Sequence, residues 1–342
     1  MSLPPTNFRP PFNITRASHL VLTSRDLAKA RDFYTEVIGL KVSDETATTI
    51  HFRGVEERAH HCLTLKRNKE EPACERLGFR VFEEDDLEKA KAHFDQKGIA
   101  AKFVNVPFQG RTLHVADAAG TPLEFCARMK TGARQHTRAH EHKGAAALRL
   151  DHMQVLVPDV AATAAFYADL GFRVSDYYCA GERLVATFLH RKNNPHDIVF
   201  MTRAGPRLHH VGFVVAEMHH VVHALDCAGN LGFGENLEHG PGRHGHGHSY
   251  YVYLRDPDGY RVELLLPPLQ TIDIDDEPVR YDLTGKNTNV WGPPPPRSWF
   301  EEASPFVGTK VTEAPAGEPL TLEKYLFAKA PQQSVSRTRR SG

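Results

Sequence analysis

Apolar and polar positions alternate along this chain in short runs, and the same succession of runs occurs twice. His19-Leu20-Val21-Leu22-Thr23-Ser24-Arg25-Asp26 and His152-Met153-Gln154-Val155-Leu156-Val157-Pro158-Asp159 each read as a buried strand that turns polar at an aspartate. Asp26 and Asp159 suit a helix N-cap, where a carboxylate accepts from free N–H groups and meets the positive end of the dipole. Seven residues past each aspartate stands an aromatic pair, Phe33-Tyr34 and Phe166-Tyr167. Gly39 and Gly171 then end the helix and open another strand. The far ends match as well. Asp117 to Phe125 and Asp256 to Leu264 keep the same distances from Asp to Gly to Glu, so each predicts a tight turn into an apolar strand that carries one glutamate.

The repeat predicts an α+β protein of two homologous modules, residues 14–130 and 148–268, with an N-terminal arm (1–13) and a polar linker (131–147). The tail, 269–342, carries an acidic run from Asp273 to Glu277, four prolines from Pro293 to Pro296 and a basic ending at Arg339-Arg340. It reads as irregular chain that wraps the modules, partly covers their working site and is disordered at its end. Trp291, Trp299 and Phe300 give it points of attachment.

Composition narrows the partners. The 42 basic and 42 acidic residues balance, so no global field favours nucleic acid or an anionic membrane, and a small molecule is the better partner. Five scattered cysteines without a C-x-x-C pair argue against a disulfide frame or a thiolate zinc site. No apolar run is long enough for a membrane span and the N-terminus lacks a signal core, so a cytoplasmic protein is expected. The 21 histidines are many for 342 residues, and they crowd between His190 and His248. Imidazole is both the commonest metal ligand and the usual proton carrier near neutral pH.

Each module offers a histidine on its first strand and a glutamate on its last. Aligned on Phe79 and Phe213, the first module has His19, Arg76 and Glu124, and the second has His152, His210 and Glu263. Two imidazoles and a carboxylate on one face of an ion, with the other face open, make the donor set of non-haem Fe(II) oxygenases, which Mn(II) also suits. A structural zinc site would close its shell with four protein ligands. Strand parity separates the paired histidines: His209 shares a face with Val211, Phe213 and Val215, whereas His210 shares one with Gly212, where space is left for a ligand. Each histidine alone reads as readily as a satisfied strand residue. Glu263 inside Val262-Glu263-Leu264-Leu265 does not, because an unpaired buried carboxylate is costly. Its counterpart Glu124 is expected to pair with Arg76 or His19.

The segments LDHMQVLVPDV, HRKNNPHDIVF, LHHVGF, GPGRHGHGHSYYVYLRDPDGYRVEL and WGPPPPRSWFEEASP resemble the type I extradiol ring-cleaving catechol dioxygenases of the vicinal oxygen chelate superfamily, above all the homoprotocatechuate 2,3-dioxygenase branch. The likeness spans nearly the whole chain. It implies paired βαβββ units in each module, a small aromatic diol and O2 as substrates, and a homo-oligomer, commonly a homotetramer. It also implies His152, His210 and Glu263 as Fe(II) ligands, His196 as the acid/base beside them, and His244 and Tyr253 as residues that contact the diol oxygens. Gln154, Phe188, His239, His246, His248 and Trp291 are the further candidates for substrate contact.

The departures bear on the substrate. Asn287 and Thr288 stand where that branch carries an arginine pair, and His239 stands where it carries a third arginine, which removes the bidentate grip on a carboxylate. Gln154 and Phe188 replace an asparagine and a tryptophan but keep their type. A catechol with a neutral or differently placed substituent is therefore expected. Two other readings compete: ring cleavage of a hydroquinone or trihydroxybenzene at the same metal, and a metal-dependent binding protein without turnover, which gives His196 and Tyr253 no reason to stand beside the site.

Overall fold

The computed structural model describes residues 3–283 and 289–314. Strand β1 (Ile14–Ser24), helix α1 (Leu27–Asp32) and strands β2 (Lys41–Glu45), β3 (Thr49–Arg53) and β4 (Leu63–Arg67) make the first βαβββ unit. The order recurs in β5 (Cys74–Val81), α2 (Glu84–Gln96), β6 (Ala101–Val106), β7 (Gly110–Ala116) and β8 (Pro122–Cys126). It recurs in β9 (Arg149–Val157), α3 (Val160–Asp169), β10 (Arg173–Ala180), β11 (Arg183–His190) and β12 (Ile198–Thr202). The fourth unit is β13 (Arg207–Val214), α4 (Met218–Asn230), β14 (Leu237–His244), β15 (Tyr250–Arg255) and β16 (Arg261–Leu265). Asp26 and Asp159 cap α1 and α3, accepting from Ala28 and Lys29 and from Ala162.

Each module is one mixed sheet. Its two central strands, β1 with β5 or β9 with β13, run antiparallel, and each is flanked by the parallel last strand of its own unit: β4, β8, β12 and β16. This topology sets four strands side by side in the middle of each sheet. Side chains of β9, β13 and β16 that share a face therefore converge although they are distant in sequence.

The conserved spacing of the repeat has a packing consequence that reaches across the modules. Tyr34 of the first module donates to Asp256 Oδ2 of the second at 2.9 Å, and Tyr167 of the second donates to Asp117 Oδ2 of the first at 3.1 Å. Both aspartates also hold their own turns, Asp256 through the N–H groups of Asp258 and Tyr260 and Asp117 through those of Ala119 and Thr121. Burial pushes Asp256 up to about 7 and Asp117 up to about 6.

The arm and the tail bind the modules further. Asn7 donates to the carbonyl of Asp169, and Phe12 is buried against Phe94 and Phe125. Residues 131–147, read from the sequence as a linker, end in Ala145 and Ala147, which are wholly buried and bond through their N–H groups to Val37 and Ile38. The described part of the tail is mostly irregular chain with three short strands, β17 (Val279–Asp282), β18 (Asn289–Trp291) and β19 (Ser304–Pro305), and one helical turn, α5 (Arg297–Glu301). β17 and β18 extend the second sheet at its two edges, beside β10 and β14. Asn287, Thr288 and the chain end at Gly342 lie outside the described residues. No helix among the described residues is long and apolar enough to cross a membrane.

Replacing Tyr34 by Phe strands a buried carboxyl oxygen of Asp256 and is expected to lower unfolding free energy by about 1–3 kcal/mol in denaturant titration. Asp256 binds its proton more tightly folded than unfolded. Its contribution is therefore fully present below pH ~4 and is lost as pH rises through about 7. The loss in Tyr34→Phe is accordingly expected to be larger at pH 8 than at pH 5.

Candidate metal centre and active site

The centre is built on a row across three strands. Register sets His152 of β9 opposite Gly212 of β13, and Gly212 opposite Glu263 of β16. With no side chain at Gly212, the imidazole and the carboxylate close over the gap; a Cβ there would lie 2.5 Å from His152 Cε1. His210, two residues earlier on the same face, completes the group. His152 Nε2 and His210 Nε2 stand 3.0 Å apart, and Glu263 Oε2 lies 3.1 Å from the first and 3.3 Å from the second. Donor atoms held at right angles about 2.1 Å from one ion stand about 3 Å apart, so this triangle fits one face of an octahedral ion.

Partners on the far side of each ring fix which nitrogen is free. Buried Asp151 accepts from His152 Nδ1 at 2.9 Å, leaving Nε2 for the triangle. His209 Nε2 donates to the carbonyl of Trp299 at 2.9 Å, so His209 Nδ1 is an acceptor. His210 Nδ1 lies 2.7 Å from it and must donate, which turns the lone pair of His210 Nε2 toward Glu263. The doubled histidine is thus one donor to the triangle and one relay that ties its tautomer to the tail. His209 meets the tail helix α5 here, because Arg261 spans Glu238, the carbonyl of His209 and the carbonyls of Ser298 and Glu302 and so pins α5 against β13.

Electrostatics agree with a cation site. Burial alone would raise Glu263, but the adjacent His152, His210 and His244 hold it well below the usual carboxylate range. Burial opposes a charged His152, yet Asp151 and Glu263 together hold it at about 9; burial brings His210 down to about 4. One positive charge is therefore drawn to the triangle.

Around the triangle lies a cavity of about 620 Å³. His196 lines it, with its ring 4.2 Å from that of His152, and its buried Nδ1 has no partner. The loop that carries it is fixed: Asp197 accepts from the N–H groups of Ala17, Arg191 and Lys192 and from Lys192 Nζ, and Asn194 bridges Asp151 and the His196 carbonyl. Burial, helped by His152 and His246, holds His196 well below the ordinary histidine range. His244 Nε2 lies 3.0 Å from the Tyr253 hydroxyl and 3.2 Å from Glu263 Oε1. Burial and Glu263 push Tyr253 well above the usual phenol value.

Gln154, Phe188, His239 and His246 also line the cavity, and Gln154 Nε2 is buried without a partner. His246 is held by the Tyr178 hydroxyl at 2.8 Å and His239 by the Tyr251 hydroxyl at 3.1 Å. Two sequence candidates lie elsewhere. His248 sits exposed on the turn after β14 with a left-handed backbone and meets Arg243. Trp291 is 48 % exposed and packs on Tyr250, because a register shift between Arg243 and His244 leaves Asn289, not Trp291, on the cavity side of β18. The tryptophan at the cavity is Trp299, with Pro295 and Phe300 beside it. The arrangement Asp-His at 151–152 and His-Asp at 196–197 was the available signal for the two buried aspartates.

The first module repeats the row and closes it. His19, Gly78 and Glu124 are in register, and His19 Nε2 meets Glu124 Oε1 at 2.5 Å. His114 and Gln109 take the remaining carboxylate contacts, and no ion pair joins Arg76 to Glu124 among the described residues. A second group of buried histidines, His51, His60 and His61, lies near this row, and its nitrogens bond to Thr64, to one another and to Gln109.

Gly212→Ala is expected to displace His152 and abolish tight metal binding while the far-UV circular dichroism spectrum stays unchanged. His209→Ala, which frees the His210 tautomer, should weaken metal affinity by roughly 10–100-fold in a competition titration, short of the complete loss expected from His210→Ala.

Comparison with known proteins places this geometry. The family model described as the glyoxalase/bleomycin resistance protein/dioxygenase superfamily matches residues 16–125 and 149–264. The chain is 22 % identical over 326 residues to a metapyrocatechase of Geobacillus stearothermophilus, covering 90 % of this chain and 99 % of that one. It is 24 % identical over 290 residues to a manganese-dependent 2,3-dihydroxybiphenyl 1,2-dioxygenase of Geobacillus genomosp. 3, covering 78 % and 90 %. Among solved structures, the anaerobic substrate complex of homoprotocatechuate 2,3-dioxygenase from Brevibacterium fuscum superposes with a TM-score of 0.85 at 34 % identity, over 90 % of this chain and 99 % of that one. The chain belongs to the glyoxalase/bleomycin resistance protein/dioxygenase superfamily and, within it, to the extradiol catechol dioxygenases.

Proposed function

We propose that this protein opens the ring of a catechol-type diol beside the diol, consuming O2 and giving a hydroxymuconic semialdehyde-type product, with Fe(II) or Mn(II) held by His152, His210 and Glu263. The observation that carries the reading is the triangle of donor atoms 3.0–3.3 Å apart, facing a cavity that also holds His196, His244 and Tyr253. Lewis acidity toward the diol and electron transfer toward O2 are what a bound ion supplies there.

The chain's own groups handle protons and position. Tyr253, kept a neutral phenol, donates a hydrogen bond to a diol oxygen, and His244 reaches the same place. His196, kept neutral by burial and lining the cavity, accepts a proton and returns it as the ring opens. Gln154, Phe188 and Trp299 line the reacting edge and keep water from it. These groups would be idle in a binding protein. Assembly as a homotetramer in the cytoplasm belongs to the same reading.

Protein loaded anaerobically with Fe(II), or in parallel with Mn(II), is expected to take up one O2 per diol and form a yellow product from catechol or 2,3-dihydroxybiphenyl. Uptake with hydroquinone alone would favour the hydroquinone-cleaving reading, and metal binding with silence on every diol would favour the binding protein. His196→Asn is expected to keep the metal and lower kcat about 10²–10⁴-fold.

A further inference from the structure

The cavity is longer than a catechol ring needs, and its far end is charged. Starting from the metal row, Val199 of β12 pairs with Gln154, and Met201 and Arg203 follow on the same side. At a rise of about 3.3 Å per residue, Arg203 stands roughly 13 Å beyond Val199. The wall between them is apolar: Val185, Ala186, Phe188, Val199, Met201 and Leu283. Arg183, at the start of β11 opposite Ala180, faces the same end.

These two guanidiniums are short of partners. Arg203 donates through one nitrogen to the carbonyl of Thr202, and among the described residues neither Arg203 nor Arg183 makes an ion pair. The only carboxylate among the cavity's described lining is Glu263, at the opposite end in the metal triangle. Arg203 is half-buried, and burial, then Arg183 and Arg207, weigh against its charge. Arginine cannot relieve such a site by losing its proton, so like charges gathered against an apolar wall mark a place where an anion is accepted.

From this we infer that Arg183 and Arg203 form an anion-binding subsite at the far end of the cavity, which selects diols carrying a long apolar substituent, such as a second ring, that ends in a carboxylate. The inference rests on the ring-cleavage reading for the diol end, and it takes the differently placed rather than the neutral substituent of the sequence expectation. The three arginine positions missing at His239, Asn287 and Thr288 would grip a short acidic arm near the ring, whereas this pair stands farther along β11 and β12.

The test compares an arylcatechol that bears a carboxylate on its far ring with its uncharged carboxamide, using metal-loaded enzyme. The carboxylate is expected to show a KM about ten- to a hundredfold lower, an advantage that shrinks with added salt. Arg203→Met and Arg183→Met should each reduce that advantage and leave the constants for the carboxamide within about twofold. A carboxylated biaryl without the diol, titrated by calorimetry, reports the subsite without turnover. If neither arylcatechol is cleaved but this probe binds and the arginine variants lose it, the ring-cleavage reading fails and the subsite stands. Equal KM values for the pair, or a carboxylate preference that survives both substitutions, would overturn the subsite; so would absence of probe binding.

Discussion

Three donor atoms that repel one another when bare, two imidazole nitrogens and a carboxylate oxygen, stand 3.0–3.3 Å apart in a buried part of the second module. Such a triangle persists only if a positive charge occupies its centre or a proton takes that role, and if the surrounding chain prevents the rings from turning away. The rest of the site follows from how the second condition is met. Gly212 leaves the space in which His152 and Glu263 meet. Asp151 on one side, and His209 with the Trp299 carbonyl on the other, hold the hydrogens away from the triangle. The tail is thus part of the metal centre's outer support as well as a wall of the cavity, and Arg261 is the clamp that keeps it there.

The two modules show what separates a site from its copy. The first keeps the row His19, Gly78, Glu124 but replaces the third donor with Arg76, and Gln109 and His114 occupy the carboxylate. Its carboxylate is satisfied internally. In the second module, the equivalent position is His210, and His196 and Gln154 line a cavity beside it. A cavity lined by His196, His244 and Tyr253 beside an open donor triangle is the mark of a place kept for a ligand. The cross-bracing of Tyr34 with Asp256 and of Tyr167 with Asp117 holds the two modules in one body whichever of them does chemistry.

Much of this was legible in the chain. The twofold repeat, the helix caps and the His…His…Glu set follow from spacing, because a strand has a period of two and a glycine in it leaves a gap. The choice of His210 over His209 came from the same parity. Contacts set by long-range register were not legible. Trp291 and Trp299 are both tail tryptophans near prolines, and only a register shift at the β14–β18 pairing and the clamp on α5 decide that Trp299 reaches the cavity. His248 looked like its neighbours His244 and His246, but a left-handed turn carries it outside. Arg183 and Arg203 lie twenty residues apart in sequence, on strands whose pairing had to be known before they could be read as a pair.

On the proposed reading, a single metal is held by the second module's triangle and by nothing in the first module's copy of it. Tightly bound Fe(II) or Mn(II) per chain, measured by elemental analysis after anaerobic loading and gel filtration, tests it for the unaltered protein, His152→Ala and His19→Ala. About one equivalent is expected in the unaltered protein and in His19→Ala, and a near-complete loss in His152→Ala. Retention of the metal in His152→Ala, or its loss in His19→Ala with the fold intact, would contradict it.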